Sequence, residues 1–206
     1  MHRCINTSLA TYFNTSRIHV SNMKPFAHFI YSFHMRKEEY LKLRPIRKED
    51  CQKIHEAFRE QGWDKPTSQY EYYFQLQETG ERDIILAERN QTFAGYLTIQ
   101  WQSGYPPFQA KGIPEIVDFN VLKKFQRQGI GSQLMDEAER RIQEVSAYAG
   151  IGFGVYQDYG AAQILYGRRG YIPDGRGLVK DAIPIKYGES FTMDDGVIFY
   201  LTKKLY

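Results

Sequence analysis

The stretch EIVDFNVLKKFQRQGIGSQLM, residues 115–135, passes from a strand-like run to a helix-like run through two glycines, Gly129 and Gly131. A helix N-terminus exposes unpaired N–H groups and about half a positive charge, so it attracts phosphate wherever side chains leave the approach open. Glycines at such a junction keep the approach open and permit unusual backbone angles. The pattern predicts a phosphate site on residues 126–132, with a tight strand-to-helix turn at Gly129 as the structural alternative.

Two familiar phosphate-binding motifs do not fit this junction. A dinucleotide-binding fingerprint requires a third glycine at the position that Leu134 occupies. A P-loop requires Gly-Lys-Ser or Gly-Lys-Thr after four spacer residues, and this sequence is missing. The expected ligand is therefore a mono- or diphosphate that main-chain amides bind without either motif.

Apolar periodicity extends an alternation of strands and helices outward from the junction. Seven strands are predicted, in EYLKLRPIR, DIILAER, TFAGYLTIQW, EIVDFNVL, GIGFGVY, YIPDGRGLV and DGVIFYLTKKL. Four helices are predicted, in KEDCQKIHEAFREQ, TSQYEYYFQLQETG, QLMDEAERRIQEVSAYAG and YGAAQILYGRRG. This order predicts a layered α/β domain whose early strands form antiparallel hairpins, with a tight turn centred on Asn90.

Some residues mark where these elements should begin, end and face the core. The second helix should be capped by Thr67 or Ser68 and ended by Gly80. The breaker-rich segment GYPPFQAKGIP is expected to be a loop. The third helix should present an apolar stripe of Leu134, Ala138, Ile142 and Val145.

The charges are unevenly distributed along the chain. It contains 27 Lys and Arg residues and 24 Asp and Glu residues, and its first 34 residues hold three of the basic ones and no acid. The remainder, with 24 of each, has no basic excess of the kind that a nucleic-acid surface needs. No apolar run approaches the ~18 residues of a membrane span, and the two cysteines form no disulfide framework. We expect a cytoplasmic protein that binds neither nucleic acid nor membrane.

Residues 1–34 differ from the rest, since they are rich in Ser, Thr, Asn and His and show no sustained period. Three interpretations remain open: a mis-assigned start with Met35 or Met23 as the first residue, a transit-like segment, or a disordered tail. The mis-assigned start is favoured. The folded domain is expected to span residues 35–206.

Histidine is scarce outside this leader, where His55 is the single example. A Ser-His-Asp triad would have to use His55, and a multi-histidine metal site cannot be built. Cys51 and His55 lie four residues apart on a predicted helix, but no second Cys/His pair accompanies them outside the leader. We therefore expect no metal.

The glycine junction resembles the Q/R-x-x-G-x-G/A signature of the GNAT N-acetyltransferase superfamily, which QRQGIG at residues 126–131 matches. The segment AAQILYGRRGYIP is similar to the family's A-x-x-x-Y-x-x-x-G-[FY] pattern, with Tyr166 and Gly170-Tyr171 in register. The element order over residues 39–206 also agrees with that fold. The resemblance implies a single α/β (α+β) domain with a central mixed, mostly antiparallel sheet flanked by helices.

By this resemblance the phosphate belongs to the diphosphate of acetyl-CoA, which acts as co-substrate. Its pantetheine arm would bond to main chain where the strands FNV and GFGVY splay apart. The glycines of GIGFGVY suit either a close ligand or packing against a helix. Tyr159 departs from the asparagine that family members often carry, so that contact is lost or is replaced by Tyr159 or Asp158. The cofactor-binding residues implied are Phe119, Asn120, Val121, Gln126, Arg127, Gln128, Gly129, Ile130, Gly131, Ser132 and Tyr159.

The resemblance further implies that a primary amine attacks the thioester directly in a ternary complex. Tyr166 matches the position where many family members place a tyrosine beside the sulfur, and it is the candidate acid. A base is useful because deprotonating a lysine-like amine at pH 7 costs about 4–5 kcal/mol. Strand alternation places Glu115 and Asp118 on opposite faces, and it favours Asp118, together with Asn120, as the base.

The acceptor amine is not identified by the sequence. Aromatic residues with acids nearby could hold an ammonium group, although one helix with Tyr73 or Phe74 buried is the favoured explanation. The residues concerned are Trp63, Asp64, Tyr70, Glu71, Tyr72, Tyr73, Phe74, Tyr105 and Phe108. A non-catalytic acyl-CoA-binding or regulatory module of the same fold is the alternative function. A monomer or homodimer is expected.

Overall fold

The computed structural model describes residues 40–206. Its strands are β1 (Leu41–Pro45), β2 (Arg82–Arg89), β3 (Thr92–Gln100), β4 (Glu115–Val121), β5 (Tyr148–Gly154), β6 (Ile172–Lys180), β7 (Ile183–Pro184) and β8 (Val197–Lys204). Its α-helices are α1 (Asp50–Glu60), α2 (Thr67–Glu78), α3 (Pro106–Gln109), α4 (Ile130–Gln143) and α5 (Gly160–Arg168). The interpretations of residues 1–34 and the expected boundary at residue 35 lie outside the described residues.

The strands form one sheet in the order β1-β2-β3-β4-β5-β8-β6-β7. Strands β4 and β5 run parallel and the other neighbours in this sheet run antiparallel, so the expected mixed, mostly antiparallel sheet is confirmed. Strand β4 pairs with β5 at Glu115 with Gly150 and at Ile116 with Ile151, and beyond these pairs the strands diverge. The divergence leaves a gap beside residues 117–121.

A bulge in β4 determines on which face of the sheet the side chains beside this gap lie. Strand β3 pairs through Thr98 with Val117 and through Tyr96 with Asn120, so β4 carries one extra residue between these pairs. Asp118 lies in the bulge with a φ of +48°. The extra residue reverses the alternation, and Asp118 comes to share a face with Glu115. The prediction that these two carboxylates face opposite ways is therefore wrong.

Helices cover both faces of the sheet. On one face, α4 buries Leu134, Ala138 and Ile142 in the main core, which also includes Tyr166 of α5. On the other face, α1 and α2 bury a second cluster that includes Ile54, Phe58, Tyr70, Ile84, Leu86 and Tyr96. We call these the α4 face and the α1–α2 face.

Three local predictions are corrected by the structure. Helix α4 begins at Ile130, directly after the glycine turn, and ends at Gln143, so Val145 lies beyond it and is 70% exposed. Pro66 is the N-cap of α2, and no side chain among the described residues caps that helix, so neither Thr67 nor Ser68 is the cap. The expected loop after β3 contains the one-turn helix α3, whose first two residues are prolines. None of the helices in residues 40–206 is long and apolar enough to cross a membrane.

Candidate active site

The loop between β4 and α4 presents a run of main-chain amides that no described residue accepts from. Gly129 forms the N-cap of α4 at a φ of +79°, and Arg127 lies in the same left-handed region at +61°. No side chain caps this helix, and the N–H groups of residues 127–132 have no acceptor in the described part of the chain. Consecutive free donors beside the positive end of a helix suit an anionic ligand.

The two glycines of this loop are needed for different reasons. A Cβ atom at Gly129 would meet no atom of residues 40–206 within 4 Å, so the backbone angle rather than space requires glycine there. A Cβ atom at Gly131 would come within 3.1 Å of Cζ of Phe119. Gly131 therefore makes room for Phe119 at the first turn of α4, while Gly129 makes the turn itself.

Glutamine side chains tie this loop back to the preceding chain. Nε2 of Gln126 donates to the carbonyl oxygen of Val121 at 3.1 Å, and Nε2 of Gln128 donates to that of Lys124 at the same distance. Gln128 also accepts a hydrogen bond from Arg89. These side chains position the loop, so the main-chain amides are the donors left for a ligand. Within the first turn, Ile130 is buried and Ser132 is exposed.

Aromatic rings cover the glycines of β5. A Cβ atom at each would overlap a ring: Phe108 at Gly150, Tyr200 at Gly152 and Tyr159 at Gly154. These glycines therefore allow aromatic packing against the strand. Tyr159, the residue in place of the family's asparagine, also contacts Tyr156 edge-on at a centroid distance of 5.0 Å. Burial raises the pKa of Tyr159.

Asp118 is the centre of a polar cluster on the α1–α2 face. Its carboxylate accepts hydrogen bonds of 2.5–3.0 Å from Lys65, Gln69, Tyr73, Tyr96 and Asn120, which we call the Asp118 cluster. Burial alone would raise the pKa of Asp118, but the charge of Lys65 and the donated hydrogen bonds outweigh it and hold the pKa below its ordinary value. Asp118 is therefore an ionised, fully bonded carboxylate at neutral pH.

Glu115 lies at the base of the gap in different surroundings. Its side chain is buried and accepts a hydrogen bond of 2.5 Å from Oγ of Ser103, which itself accepts from the amide of Tyr105. Burial raises the pKa of Glu115, and it outweighs the opposing effects of Ser103 and the charge of Arg82. Glu115 therefore accepts a proton more readily than Asp118 does.

Tyr166 projects from α5 into the core of the α4 face and is 4% exposed. Its ring centroid lies 5.8 Å from that of Phe153 and 6.1 Å from that of Tyr171. Burial raises the pKa of the Tyr166 hydroxyl, which therefore carries its proton at neutral pH. The candidate acid thus belongs to the α4 face, and both candidate bases belong to the α1–α2 face.

Sequence reasoning missed the donors that converge on Asp118. Lys65 and Gln69 lie 53 and 49 residues before Asp118, so no local pattern connects them. The aromatic helix gave a partial signal, because Tyr73 reaches the carboxylate. The acids expected near it do not take part: Asp64 and Glu71 are both exposed.

The structure also shows where the aromatic residues of α2, Cys51 and His55 lie. Tyr70 is the fully buried ring of α2, whereas Tyr73 and Phe74 are half-buried. Cys51 is buried, and Nδ1 of His55 donates to the carbonyl oxygen of Lys65 at 2.8 Å. Residues 40–206 contain no group of three or more His, Cys, Asp or Glu residues placed to hold a metal ion.

Comparison with known proteins gives both a family match and structural neighbours. A family model described as the Acetyltransferase (GNAT) family matches residues 48–171. No curated protein sequence matches the chain. Among solved structures, a protein from Desulfovibrio desulfuricans assigned to the GNAT family superposes with a TM-score of 0.62 at 12% identity, over 81% of this chain and 100% of its own.

Two further structures have the same fold. An N-acetyltransferase from Staphylococcus aureus Mu50 gives a TM-score of 0.61 at 15% identity, covering 82% of this chain and 100% of its own. The protein yncA from Salmonella typhimurium, whose structure contains its cofactor acetyl-CoA, gives 0.56 at 17% identity, covering 81% and 94%. At these identities the likeness concerns the fold.

Proposed function

The chain belongs to the acetyltransferase (GNAT) family, and from that premise we propose that it transfers the acetyl group of acetyl-CoA to a primary amine. One observation carries the proposal: the amides of residues 127–132, which have no acceptor within residues 40–206, lie at the start of α4, after the strand that diverges from β5. A diphosphate requires such donors, and the extended pantetheine arm requires an unpaired strand edge beside them.

The residues present fit acetyl-CoA as a co-substrate. The amides of residues 127–132 would bind its diphosphate, and the free edge of β4 at residues 119–121 would bond to the amides of its pantetheine arm. By the family resemblance Tyr166 would lie beside the sulfur, and its ring packs in the core of the α4 face. The thioester supplies the activated acetyl group, and the chain's own residues orient it and move the protons.

Of the two carboxylates, Glu115 is the better base. Asp118 accepts bonds from five side chains and its pKa is lowered, so it has little capacity to take another proton. Glu115 has a raised pKa and one bonded side-chain partner, Ser103, among the described residues. We therefore assign proton acceptance to Glu115, directly or through one water, and a positioning role to Asp118.

The arrangement suggests an order of events at the gap. An amine approaching from the α1–α2 face gives a proton to Glu115 and attacks the thioester carbon. The carbon–sulfur bond breaks, and the Tyr166 hydroxyl donates a proton to the leaving thiolate. The second proton that the nitrogen loses returns to Tyr166 through solvent. The thiol has an ordinary pKa of ~8.5, so protonating the leaving thiolate speeds the reaction less than deprotonating the amine does, unless water is excluded from the gap.

Replacing Tyr166 with phenylalanine should lower kcat about 100-fold while leaving acetyl-CoA affinity nearly unchanged. The substitution removes the proton that the sulfur receives and keeps the ring that packs on Phe153. Steady-state kinetics and calorimetric titration would measure the two quantities. Tyr171→Phe is the matched control, because Tyr171 lies in the same core with its ring centroid 6.1 Å from that of Tyr166. Unchanged turnover in Tyr166→Phe would remove the assigned role.

The proposed function is tested by titrating the full chain with acetyl-CoA and by measuring CoA release with a panel of amines. We expect saturable binding and a release rate that depends on one class of amine. Binding without amine-dependent release would instead identify an acyl-CoA-binding or regulatory module. Absence of binding would contradict the proposed use of the loop amides.

A further inference from the structure

We infer that Lys65 is itself an acetyl acceptor, so that the protein acetylates its own α1–α2 loop from the acetyl-CoA bound at the same site. The inference rests on the proposed function. It depends on the position of the Lys65 amine beside the gap, and on the different surroundings of the other described lysines.

The structure holds the Lys65 side chain inside the α1–α2 face. Its Nζ atom donates to Oδ1 of Asp118 at 2.9 Å and to the hydroxyl oxygen of Tyr96 at 3.3 Å. The ammonium also lies 5.5 Å from the ring centroid of Phe58 and 5.8 Å from that of Tyr96. His55 fixes the backbone by donating to the carbonyl oxygen of Lys65. A carboxylate together with aromatic rings is the set of groups expected to bind the ammonium of an acceptor, and here these groups bind Lys65.

This amine stands at the opening of the gap. Its partner Asp118 lies two residues beyond Ile116, the last residue of β4 that pairs with β5, and directly before Phe119. The main chain from Phe119 onward is the edge along which the pantetheine arm would run. An amine bonded to the adjacent side chain therefore lies next to the path of the thioester, on the face from which an acceptor would arrive.

No other lysine within residues 40–206 forms a side-chain bond to a residue of β4. Lys180 and Lys203 pair with Asp194 and Glu139, which lie elsewhere in the fold. Lys111 is exposed on the loop before β4. Solution chemistry should favour exposed amines, whereas transfer within the site should favour Lys65, which is 21% exposed.

The transfer balances without any further reactant. The Lys65 ammonium loses one proton through water to Glu115, which passes it to solvent, and the neutral amine forms a bond to the thioester carbon. The carbon–sulfur bond breaks, CoA leaves as a thiolate, and the thiolate takes the Tyr166 proton while the second amine proton restores Tyr166 through solvent. The products are acetyl-Lys65, free CoA and one proton. The ion pair with Asp118 is lost.

The test is to incubate the full chain with acetyl-CoA in the absence of other amines and to follow each lysine by peptide mass spectrometry. Lys65 should be acetylated at least about tenfold faster than Lys111, because the reaction occurs within one complex. The rate per molecule should not change with protein concentration. Tyr166→Phe should slow acetylation of Lys65 and leave that of Lys111 unchanged.

Two controls separate this transfer from solution chemistry. S-acetyl-N-acetylcysteamine carries the thioester without the diphosphate, and it should acetylate Lys111 faster than Lys65. Lys65→Arg keeps a cation beside Asp118 and should abolish the rapid acetylation of the chain, leaving only the slow acetylation of exposed lysines such as Lys111. Acetylation of Lys65 no faster than that of Lys111 would overturn the inference. So would an unmodified Lys65 in a protein that acetylates added amines, and in that case the proposed function stands. A protein that neither binds acetyl-CoA nor releases CoA would overturn both.

Discussion

Replacing Glu115 with glutamine should lower kcat by about 10²–10⁴-fold while leaving the affinity for acetyl-CoA nearly unchanged. Glutamine preserves the size of the side chain and its hydrogen bond from Ser103, but it cannot accept the amine proton. An acceptor with a lysine-like pKa must lose that proton, at a cost of about 4–5 kcal/mol at pH 7. Steady-state CoA release with the best amine of the panel measures the effect.

The pH profile provides an independent test of the same role. Because burial raises the pKa of Glu115, the acidic limb of kcat/KM should lie above the ordinary value of a glutamate, and Glu115→Gln should lack it. Ser103→Ala removes a hydrogen bond that lowers this pKa, so its acidic limb should shift to higher pH. A limb at the same pH in all three proteins would assign it to another group.

Stability distinguishes loss of the base from loss of the fold. A carboxyl whose folded pKa is raised binds more protons when folded, so its ionised form weakens folding as pH rises. Glu115→Gln removes that penalty and should leave the melting temperature at pH 7 unchanged or higher. An inactive variant with a clearly lower melting temperature would not support a catalytic role. Glu60→Gln, on the exposed end of α1, should alter neither activity nor stability.

The glycine junction shows how much of this fold the sequence determines. Apolar periodicity predicted the strand, the turn and the helix around Gly129, and the described structure contains all three. The predicted helix began at Gln133, three residues after the observed start at Ile130, because Ile130 and Gly131 were interpreted as part of the turn. Gly131 looked like a residue that clears space for phosphate, yet its contact is with Phe119, a residue of β4. A sequence shows that a side chain is missing and does not show which atom occupies the space.

The Asp118 bulge shows where the reasoning from sequence failed. Strict alternation assumes a regular strand, and no glycine marks the bulge. Aspartate is one of the few non-glycine residues that tolerate a positive φ, so the irregularity leaves little trace in the sequence. One extra residue moved Asp118 to the face of Glu115 and reversed the choice of base. The partners of Asp118 come from distant segments that only tertiary packing brings together.

The second large effect concerns Asp118, whose replacement by asparagine should lower the free energy of unfolding by about 3 kcal/mol at pH 7. Asparagine tolerates the positive φ of the bulge, so the substitution isolates the charge from the backbone. The variant leaves the Lys65 ammonium without a counter-charge, and an amide group cannot satisfy all five donors. Urea unfolding at pH 7 measures the loss.

The sign of the pH dependence follows from the lowered pKa of Asp118. A carboxyl with a depressed folded pKa stabilises the fold above its unfolded pKa, ~3.9, and this contribution is lost as pH falls through the folded value. The difference between wild type and Asp118→Asn should therefore stay constant from about pH 7 to pH 5 and narrow only in stronger acid. Asp136→Asn is the matched control, since Asp136 pairs with Arg169 at the surface and is 65% exposed. That control should cost at most about 1 kcal/mol, and an equal loss in both variants would mean that the Asp118 cluster contributes no more than a surface ion pair.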